Sequence, residues 1–308
     1  MAYKNLDLEL IAQQYTSLCM PVIQQGDNRT APSTEFKTGL TVRDVQILDY
    51  MGKITPRVVN DLTSIRETVV DDVTAESRWL PAPHLVEHTI RKSAQFDLLT
   101  LVNPDSAVRA SQVAAFKRHM DKEFIDAALG KAITNINLVN GTGTQPAGIT
   151  SPYSFVDLPA EMTITAGAGT TITAAIDEAL AKFDSLDVDT AQYPVIAYIN
   201  SKAKSLLFED PRYDNWNNMG SQVLADGNLT PYRGVRFVRL SDDDVFNKGT
   251  KIVLVAGKAI CTGIWSDFKT EISILPEHSY ASQIYSSMSL ASTRLDEQRV
   301  AAIDIAAL

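Results

Sequence analysis

The sequence predicts an α+β fold, and three of its features carry that prediction. A long amphipathic helix is expected after the NPDS stretch at residues 103–106. Strands and helices then alternate between residues 172 and 256, which is typical of a mixed sheet with helices packed on it. The C-terminal third has short runs of alternating apolar and polar residues with no helix between them, which indicates more sheet.

The size and composition are those of a globular protein. The 308 residues are 45% hydrophobic and 21% charged, which is enough to bury the core of one large domain or of two moderate ones. The N-terminus lacks the apolar block of a secretory signal, and no run approaches the roughly 20 apolar residues of a membrane span. We therefore expect a protein that is made and kept in a cytoplasm, without contact with a membrane.

Charge and cysteine content exclude two further classes. The formal net charge of -9 argues against a dedicated nucleic-acid binder, because such proteins use clustered Lys and Arg to neutralise phosphates. Cys19 and Cys261 lie far apart and form no C-x-x-C motif. The sequence therefore predicts neither a disulfide framework nor a thiolate metal site.

The first 95 residues have no pattern that would pack into a core. Residues 1–45 show no sustained period and are predicted to form an arm. Residues 46–95 contain strand-like pieces that are interrupted by Pro81 and Pro83. Because connections inside compact domains rarely exceed about 15 residues, we expect this segment to have its purpose outside the domain.

The clearest single element is a helix over residues 107–129. Pro104 suits its first turn, and Gly130 suits its C-terminal end. Its apolar face, at spacings of three and four, consists of Val113, Phe116, Met120, Phe124, Ala127 and Ala128. Helices are also predicted at 172–183 and 201–208, and strands at 195–199, 234–240, 251–256, 271–275, 283–290 and 299–305.

The HLVEH stretch that begins at His84 matches the H-x-x-E-H signature of inverted zinc peptidases. That chemistry needs His84 and His88 on one face of a helix, with Glu87 activating a bound water. Pro81 and Pro83 stand just before the motif and favour extended backbone, so a strand is predicted instead. In a strand the two histidines share one face and Glu87 lies on the other. The zinc peptidase stays open as an alternative interpretation.

No other stretch predicts an active site. The glycine loops at 141–143 and 167–169 lack the remaining residues of a phosphate-binding motif. The acidic residues at 184, 187 and 189 and those at 242–244 do not fit a calcium loop and are predicted to be solvated turns. We therefore predict a protein that is not an enzyme and that has no catalytic residue, cofactor or metal.

Residues 95–132, QFDLLTLVNPDSAVRASQVAAFKRHMDKEFIDAALGKA, resemble the central segment of tailed-bacteriophage major capsid proteins. That family shows an acidic residue, an N-or-D-P-x-S turn, a long helix with R-x-x-D, and an A-A-L-G-x-A ending. The matching positions are Asp97, Asn103, Pro104, Ser106, Arg118, Asp121 and 127–132. Further matches are SRWLPAPH at 77–84, YRGVRFVRL at 232–240 and STRLDEQRVAAIDI at 292–305.

The resemblance implies the α+β capsid fold of the Hong Kong 97 type. Its parts are an N-terminal arm, an extended hairpin loop, a peripheral domain built on a long spine helix with its sheet, and a mixed α/β axial domain. The corresponding ranges here are 1–45 for the arm, 46–95 for the hairpin, 96–155 for the peripheral domain with spine helix 107–129, 156–262 for the axial domain, and 263–308 for the return to the peripheral sheet.

The same resemblance implies a function. The chain would be the major capsid subunit, forming hexamers and pentamers of an icosahedral shell that encloses double-stranded phage DNA and contacts it non-specifically. Its implied partners are a separate scaffolding protein, since only about 45 residues precede the hairpin, a portal, and optional decoration proteins. It would assemble in the cytoplasm of a bacterial host and reside in the virion. A cellular nanocompartment shell of the encapsulin type is the alternative with the same fold.

Four residues in the hairpin segment are candidate contacts between subunits. Arg78 and Trp79 are of the types enriched in interface hot spots. A local cap on the hairpin is the other interpretation of Trp79. His84 and His88 are expected on the returning strand of the hairpin, where it would lie against a neighbouring subunit.

Overall fold

The structure is a computed structural model, and it describes residues 27–51, 75–92, 105–136, 153–167, 170–214, 229–240, 250–275, 281–306 and 308. Its helices are α1 (Asp105–Leu129), α2 (Ile172–Ser185), α3 (Ser201–Glu209) and α4 (Pro211–Asp214). Its strands are β1 (Thr34–Thr38), β2 (Val45–Met51), β3 (Ala75–Leu80), β4 (His84–Lys92), β5 (Ala132–Ile136), β6 (Tyr153–Val156), β7 (Thr163–Thr165), β8 (Val195–Ile199), β9 (Arg236–Arg239), β10 (Lys251–Ala256), β11 (Ile260–Leu275), β12 (Ala281–Arg294) and β13 (Val300–Asp304). None of the described helices combines the length and the hydrophobicity that a membrane crossing needs.

The long helix α1 covers the predicted range 107–129 and begins two residues earlier. Of the predicted apolar stripe, Phe116, Phe124 and Ala128 are buried, and the other three residues are partly buried. The buried side also carries two polar residues, Gln112 and Asp121. The helix therefore packs through a mixed face, and each buried polar group on it needs a partner.

The first sheet has the strand order β1-β11-β12-β4 and lies under the N-terminal half of α1. Phe116 of α1 packs there on Met288 and Leu290 of β12. Alternation along β12 places these residues toward the helix and leaves the intervening serines on the other face. The alternating run predicted at 283–290 is thus half of one long strand.

The second sheet has the order β7-β13-β10-β8-β9 and is covered on both faces. On one face Ala197 and Ile199 of β8 pack in the same core as α2 and α3. On the other face Ile196 and Tyr198 pack with Phe124 of α1. Burial on both sides is the reason that VIAYI and the stretch after Lys251 in KIVLVA are apolar throughout. The predicted alternation of strands and helices between 172 and 256 forms this layer.

The third sheet, of order β2-β3-β5-β6, contains the base of the predicted hairpin. β2 and β3 pair antiparallel, from Val45 with Leu80 to Met51 with Ala75. β3 then joins β5, which follows α1 directly. The hairpin is therefore continuous with the end of the long helix. The hairpin tip at 52–74, the family-pattern positions 97, 103 and 104, and the predicted turns at 141–143 and 242–244 lie outside the described residues.

Strand pairing corrects three assignments made from the sequence. β4 pairs with β12 and not with β2 or β3, so His84 and His88 do not lie on the returning strand of the hairpin. β13 pairs with β10 and β7, so residues 300–304 belong to the second sheet, apart from β11 and β12. β1 belongs to the first sheet although it falls in the predicted arm. The remaining domain boundaries stay a prediction.

Each correction has a physical reason. Pro81 and Pro83 interrupt strand pairing between β3 and β4, and the chain passes there from one sheet to another. β13 is buried along almost its whole length, which is the pattern of a central strand covered on both faces. β1 has the sequence TEFKT with a single apolar residue, so it lacks the alternation of apolar and polar residues that predicts a strand.

Substitution of Gly263 tests the close approach of the third sheet to β11. A Cβ atom at this position would lie 2.6 Å from Leu80 Cδ1 and 2.8 Å from Leu40 Cδ1. We expect Gly263→Val to lower the free energy of unfolding of the soluble subunit by about 1–3 kcal/mol through overpacking, measured by urea denaturation. Gly167→Val is the control, because a Cβ there meets no atom within 4 Å. Equal stability losses in the two variants would contradict this packing.

Candidate functional site

Two segments that match the family pattern, 77–84 and 292–305, meet at a buried cluster of charges. This arginine junction consists of Arg78 from β3, Arg294 from the end of β12, and Glu297 from the turn before β13. Arg78 Nη2 donates to Glu297 Oε2 at 2.5 Å, and Arg294 Nε lies 3.7 Å from Glu297 Oε1. The two arginines are 1% and 0% exposed, so the cluster is an internal part of the chain.

Arg294 also caps the C-terminal end of α1. Its Nη1 donates to the carbonyl oxygens of Ala128 at 2.9 Å and Gly130 at 2.8 Å, and its Nη2 donates to Val156 O at 3.2 Å. Carbonyls at a helix C-terminus have no partner inside the helix, and a cation is favourable there. Burial lowers the pKa of the Arg294 guanidinium, and the Glu297 carboxylate opposes that shift.

The contacts of the arginine junction connect residues of the family pattern that lie in different segments. The A-A-L-G ending of α1 presents carbonyls to Arg294, and the R-x-x-E spacing returns Glu297 to the same guanidinium. Arg78 adds the hairpin base to this cluster. Arg78 is buried and paired inside its own chain, and its role as a contact between subunits stays a prediction.

A second buried carboxylate anchors the described end of the arm. Asp121 Oδ1 accepts hydrogen bonds from Arg29 N at 3.1 Å, Thr30 N at 3.0 Å and Thr30 Oγ1 at 2.9 Å. We call Arg29, Thr30 and Asp121 the arm anchor. Tyr198 Oη donates to Ser33 Oγ at 2.8 Å, three residues further along. The Asp of the R-x-x-D motif therefore holds the arm onto α1.

One feature of the sequence indicates the arm anchor, although the search for apolar periodicity does not consider it. Asp121 directly follows Met120, a residue of the predicted apolar stripe. A charged residue within a buried helix face requires a partner, because a buried carboxylate without hydrogen bonds is strongly unfavourable. The identity of that partner, a backbone segment 91 residues away, was not predictable from spacing.

Trp79 lies in a row of apolar side chains across the third sheet. It is opposite Ile133 of β5, and Ile133 is opposite Phe155 of β6, so the three share one face. Phe155 is 48% exposed. Trp79 Nε1 donates to Ser77 Oγ at 2.9 Å, which orients the indole along the strand. We call Trp79, Ile133 and Phe155 the aromatic row.

The HLVEH histidines lie in strand β4, as predicted. Both are exposed, and His88 Nδ1 lies 3.3 Å from Gln112 Nε2 of α1. Since the Gln112 amide nitrogen donates, Nδ1 accepts. Ser286 Oγ donates to Gln112 Oε1 at 2.9 Å. Glu87 accepts instead from Tyr285 Oη, at 3.0 Å. The helix that zinc ligation requires is absent at this motif, so the zinc peptidase interpretation is wrong.

Metal chemistry has no other candidate among the described residues. They contain no group of three or more His, Cys, Asp and Glu side chains that could hold a metal ion. The predicted acidic turn is represented by Asp189, whose carboxylate accepts from the backbone N–H groups of Ala191 and Gln192. These contacts are those of a polar turn.

The chain was compared with known proteins. A family model described as phage capsid protein matches residues 9–306. The chain belongs to the phage capsid protein family. No curated protein sequence matches the chain. The family is one of structural capsid proteins.

Solved capsid structures share the fold of this capsid protein. The capsid of the cyanophage P-SCSP1u matches with a TM-score of 0.63 and 13% identity, covering 89% of this chain and 86% of that chain. The capsid of Ralstonia phage GP4 matches with a TM-score of 0.62 and 13% identity, covering 92% of each chain. The mature capsid of bacteriophage PhiM1 matches with a TM-score of 0.60 and 13% identity, covering 90% and 86%. The predicted α+β capsid fold is confirmed.

Removal of the charge of Glu297 tests the arginine junction of the capsid protein. We expect Glu297→Gln to lower the free energy of unfolding by about 3 kcal/mol, because it leaves two buried guanidinium groups without a counter-charge. The measurement is urea denaturation of the soluble subunit. Glu178→Gln is the control, since Glu178 forms an exposed pair with Lys182 at 3.1 Å and should cost about 0.5 kcal/mol or less. Equal losses would show that the buried pair stabilises the subunit no more than an exposed pair does.

Proposed function

We propose that this capsid protein is the major subunit of an icosahedral shell, assembled from hexamers and pentamers in a bacterial cytoplasm around double-stranded DNA. The observation that carries the proposal is the family match over residues 9–306, together with the capsid fold. A separate scaffolding protein, a portal and optional decoration proteins are its proposed partners. The shell of the completed virion is its proposed location.

The internal anchors support an assembly role. A closed shell needs contacts that use different surfaces of one chain and close into rings. Stable contacts of this kind bury about 1,200–2,000 Å². The arginine junction fixes the hairpin base to the body, and the arm anchor fixes the start of the arm to α1. An extension that leaves a body from a fixed base loses less conformational freedom when it binds a neighbour.

The aromatic row is the proposed contact between subunits. Its exposed end at Phe155 can be covered by a neighbouring subunit, and Trp79 is the residue type most enriched at the centre of interfaces. His84 and His88 remain proposed contacts as well, on the exposed strand β4. Since β4 lies in the sheet under α1, the body of the subunit, and not its hairpin, would carry this contact.

Assembly in the presence and absence of genomic neighbours tests the proposed function. We expect the chain, expressed with the other proteins of its gene cluster, to form closed shells in negative-stain electron microscopy, because its fold is that of shell subunits. Shells that contain DNA support the phage capsid. Shells that contain a protein cargo support the nanocompartment alternative instead. A soluble monomer under both conditions would overturn the proposal.

Substitution of Phe155 tests the aromatic row without disturbing the core. We expect Phe155→Ser to raise the subunit concentration needed for assembly by about tenfold or more, because an exposed aromatic group buried at a contact is worth about 2 kcal/mol. The measurement is sedimentation of assembled shells against subunit concentration. Tyr193→Ser is the control, since Tyr193 is an exposed aromatic residue outside the row. Unchanged assembly of the Phe155 variant, or equal effects of both, would exclude the row as a contact.

A further inference from the structure

Four cations of this acidic chain lie near the arm anchor. The basic cluster consists of Arg29 from the arm, Lys117 and Arg118 from α1, and Arg236 from β9. In the sequence these residues are spread over more than 200 positions, so they do not form one run of basic residues. They meet because the arm, the helix and the edge strand of the second sheet converge at one place.

The contacts of Arg29 connect the arm to the sheet. Its backbone N–H is held by Asp121, and its Nη1 donates to Arg239 O at 2.5 Å. Arg239 in turn donates through Nη2 to Ser201 Oγ at 2.9 Å. Both guanidinium groups are on exposed residues. A guanidinium has five N–H donors, so these contacts leave donors on Arg29 for a ligand.

The helix brings two further cations to the same place. Lys117 Nζ lies 2.7 Å from Asp27 Oδ1, beside the arm anchor. Lys117 and Arg118 precede Asp121 by four and three positions, and residues at these spacings are neighbours on a helix surface. Arg118 and Lys117 are therefore both neighbours of Asp121 on the helix surface.

Arg236 completes the cluster from β9. Burial raises the pKa of the Tyr198 hydroxyl. The negative charge of Asp121 raises this pKa further, and the positive charge of Arg236 lowers it, so both charges act on the same hydroxyl. Arg236 is exposed, and it shares its sheet face with Val238 and therefore with Tyr198, which is opposite Val238. Its guanidinium thus belongs to the side of the sheet on which α1 and the arm lie.

The carboxylates near the cluster do not neutralise it. Asp121 is buried and accepts three hydrogen bonds from the arm, and Asp27 is paired with Lys117. Among the described residues, four cations thus face these two carboxylates, in a chain whose net charge is -9. A polyanion held by so few exposed cations is expected to bind weakly and with strong dependence on salt.

We propose that the basic cluster is the contact of this capsid protein with the phosphate backbone of double-stranded DNA. The inference rests on the proposed function, because a shell around DNA supplies that ligand. Arginine and lysine without base-reading elements bind phosphates independently of sequence. One small cluster on a subunit that is otherwise acidic holds packaged DNA weakly. A shell surface that was basic everywhere would hinder the movement of the DNA.

DNA binding by the full-length soluble subunit tests the cluster. The probe is a fluorescein-labelled duplex of about 30 base pairs and mixed sequence, followed by anisotropy between about 50 and 200 mM salt. We expect wild-type affinity to fall about one hundredfold across this range, which corresponds to about four phosphate contacts. The double variant Arg118→Gln with Arg236→Gln should lower the steepness of the salt dependence by about 1.8 and weaken binding about tenfold at the lowest salt.

The matched control removes the same charge elsewhere. Arg43→Gln with Lys131→Gln replaces two exposed cations outside the cluster and should leave the salt dependence unchanged. Equal DNA binding by the two double variants overturns the proposal, as does a wild-type subunit that binds polyglutamate of matched charge but not DNA. The same preparations are examined for shells by electron microscopy. Shells without DNA binding overturn only this inference, and DNA binding without shells overturns the proposed function.

Discussion

The structure depends on the buried ion cluster of Arg78, Arg294 and Glu297. Taking three charges out of water is costly, and attraction between them offsets that cost only where hydrogen bonds satisfy the remaining donors. Arg294 meets this condition at Nη1 and Nη2, through the carbonyls at the end of α1 and at Val156, and its Nε is held by the ion pair with Glu297 alone. An arrangement with such specific partners favours one docking of the hairpin, the helix and the C-terminal strand over all others.

The long helix connects the two main layers because its buried face changes partner along its length. Phe116 packs on the first sheet, whereas Phe124 and Ile125 pack on the second. Its polar buried residues serve the same purpose, since Gln112 bonds to Ser286 and Asp121 holds the arm. A helix with a uniformly apolar face could pack on either sheet in several registers. The polar groups fix one register because only that register gives each of them a partner.

The distribution of strong and weak interactions fits a subunit that must assemble. Contacts within the chain are buried and charged at the arginine junction and the arm anchor. The features proposed for contact with other molecules are half-exposed aromatic or basic side chains, such as Phe155 and Arg236. Exposed groups of this kind each contribute little to the stability of the isolated chain. Their removal is therefore expected to affect assembly or DNA binding before it affects folding.

The sequence by itself determined the α+β class, the long helix, the strands and helices of the second layer, and the strand character of HLVEH. These follow from periodicity and proline placement, which act within a few residues of the chain. Tertiary structure decided that β4 pairs with β12, that β13 enters the second sheet, and that Arg78 turns inward to Glu297. Arg78 and Glu297 are 219 positions apart, and no local pattern specifies such a pair. The partner of a buried charge is set by which segments converge in space, and that convergence comes from the packing of the whole chain.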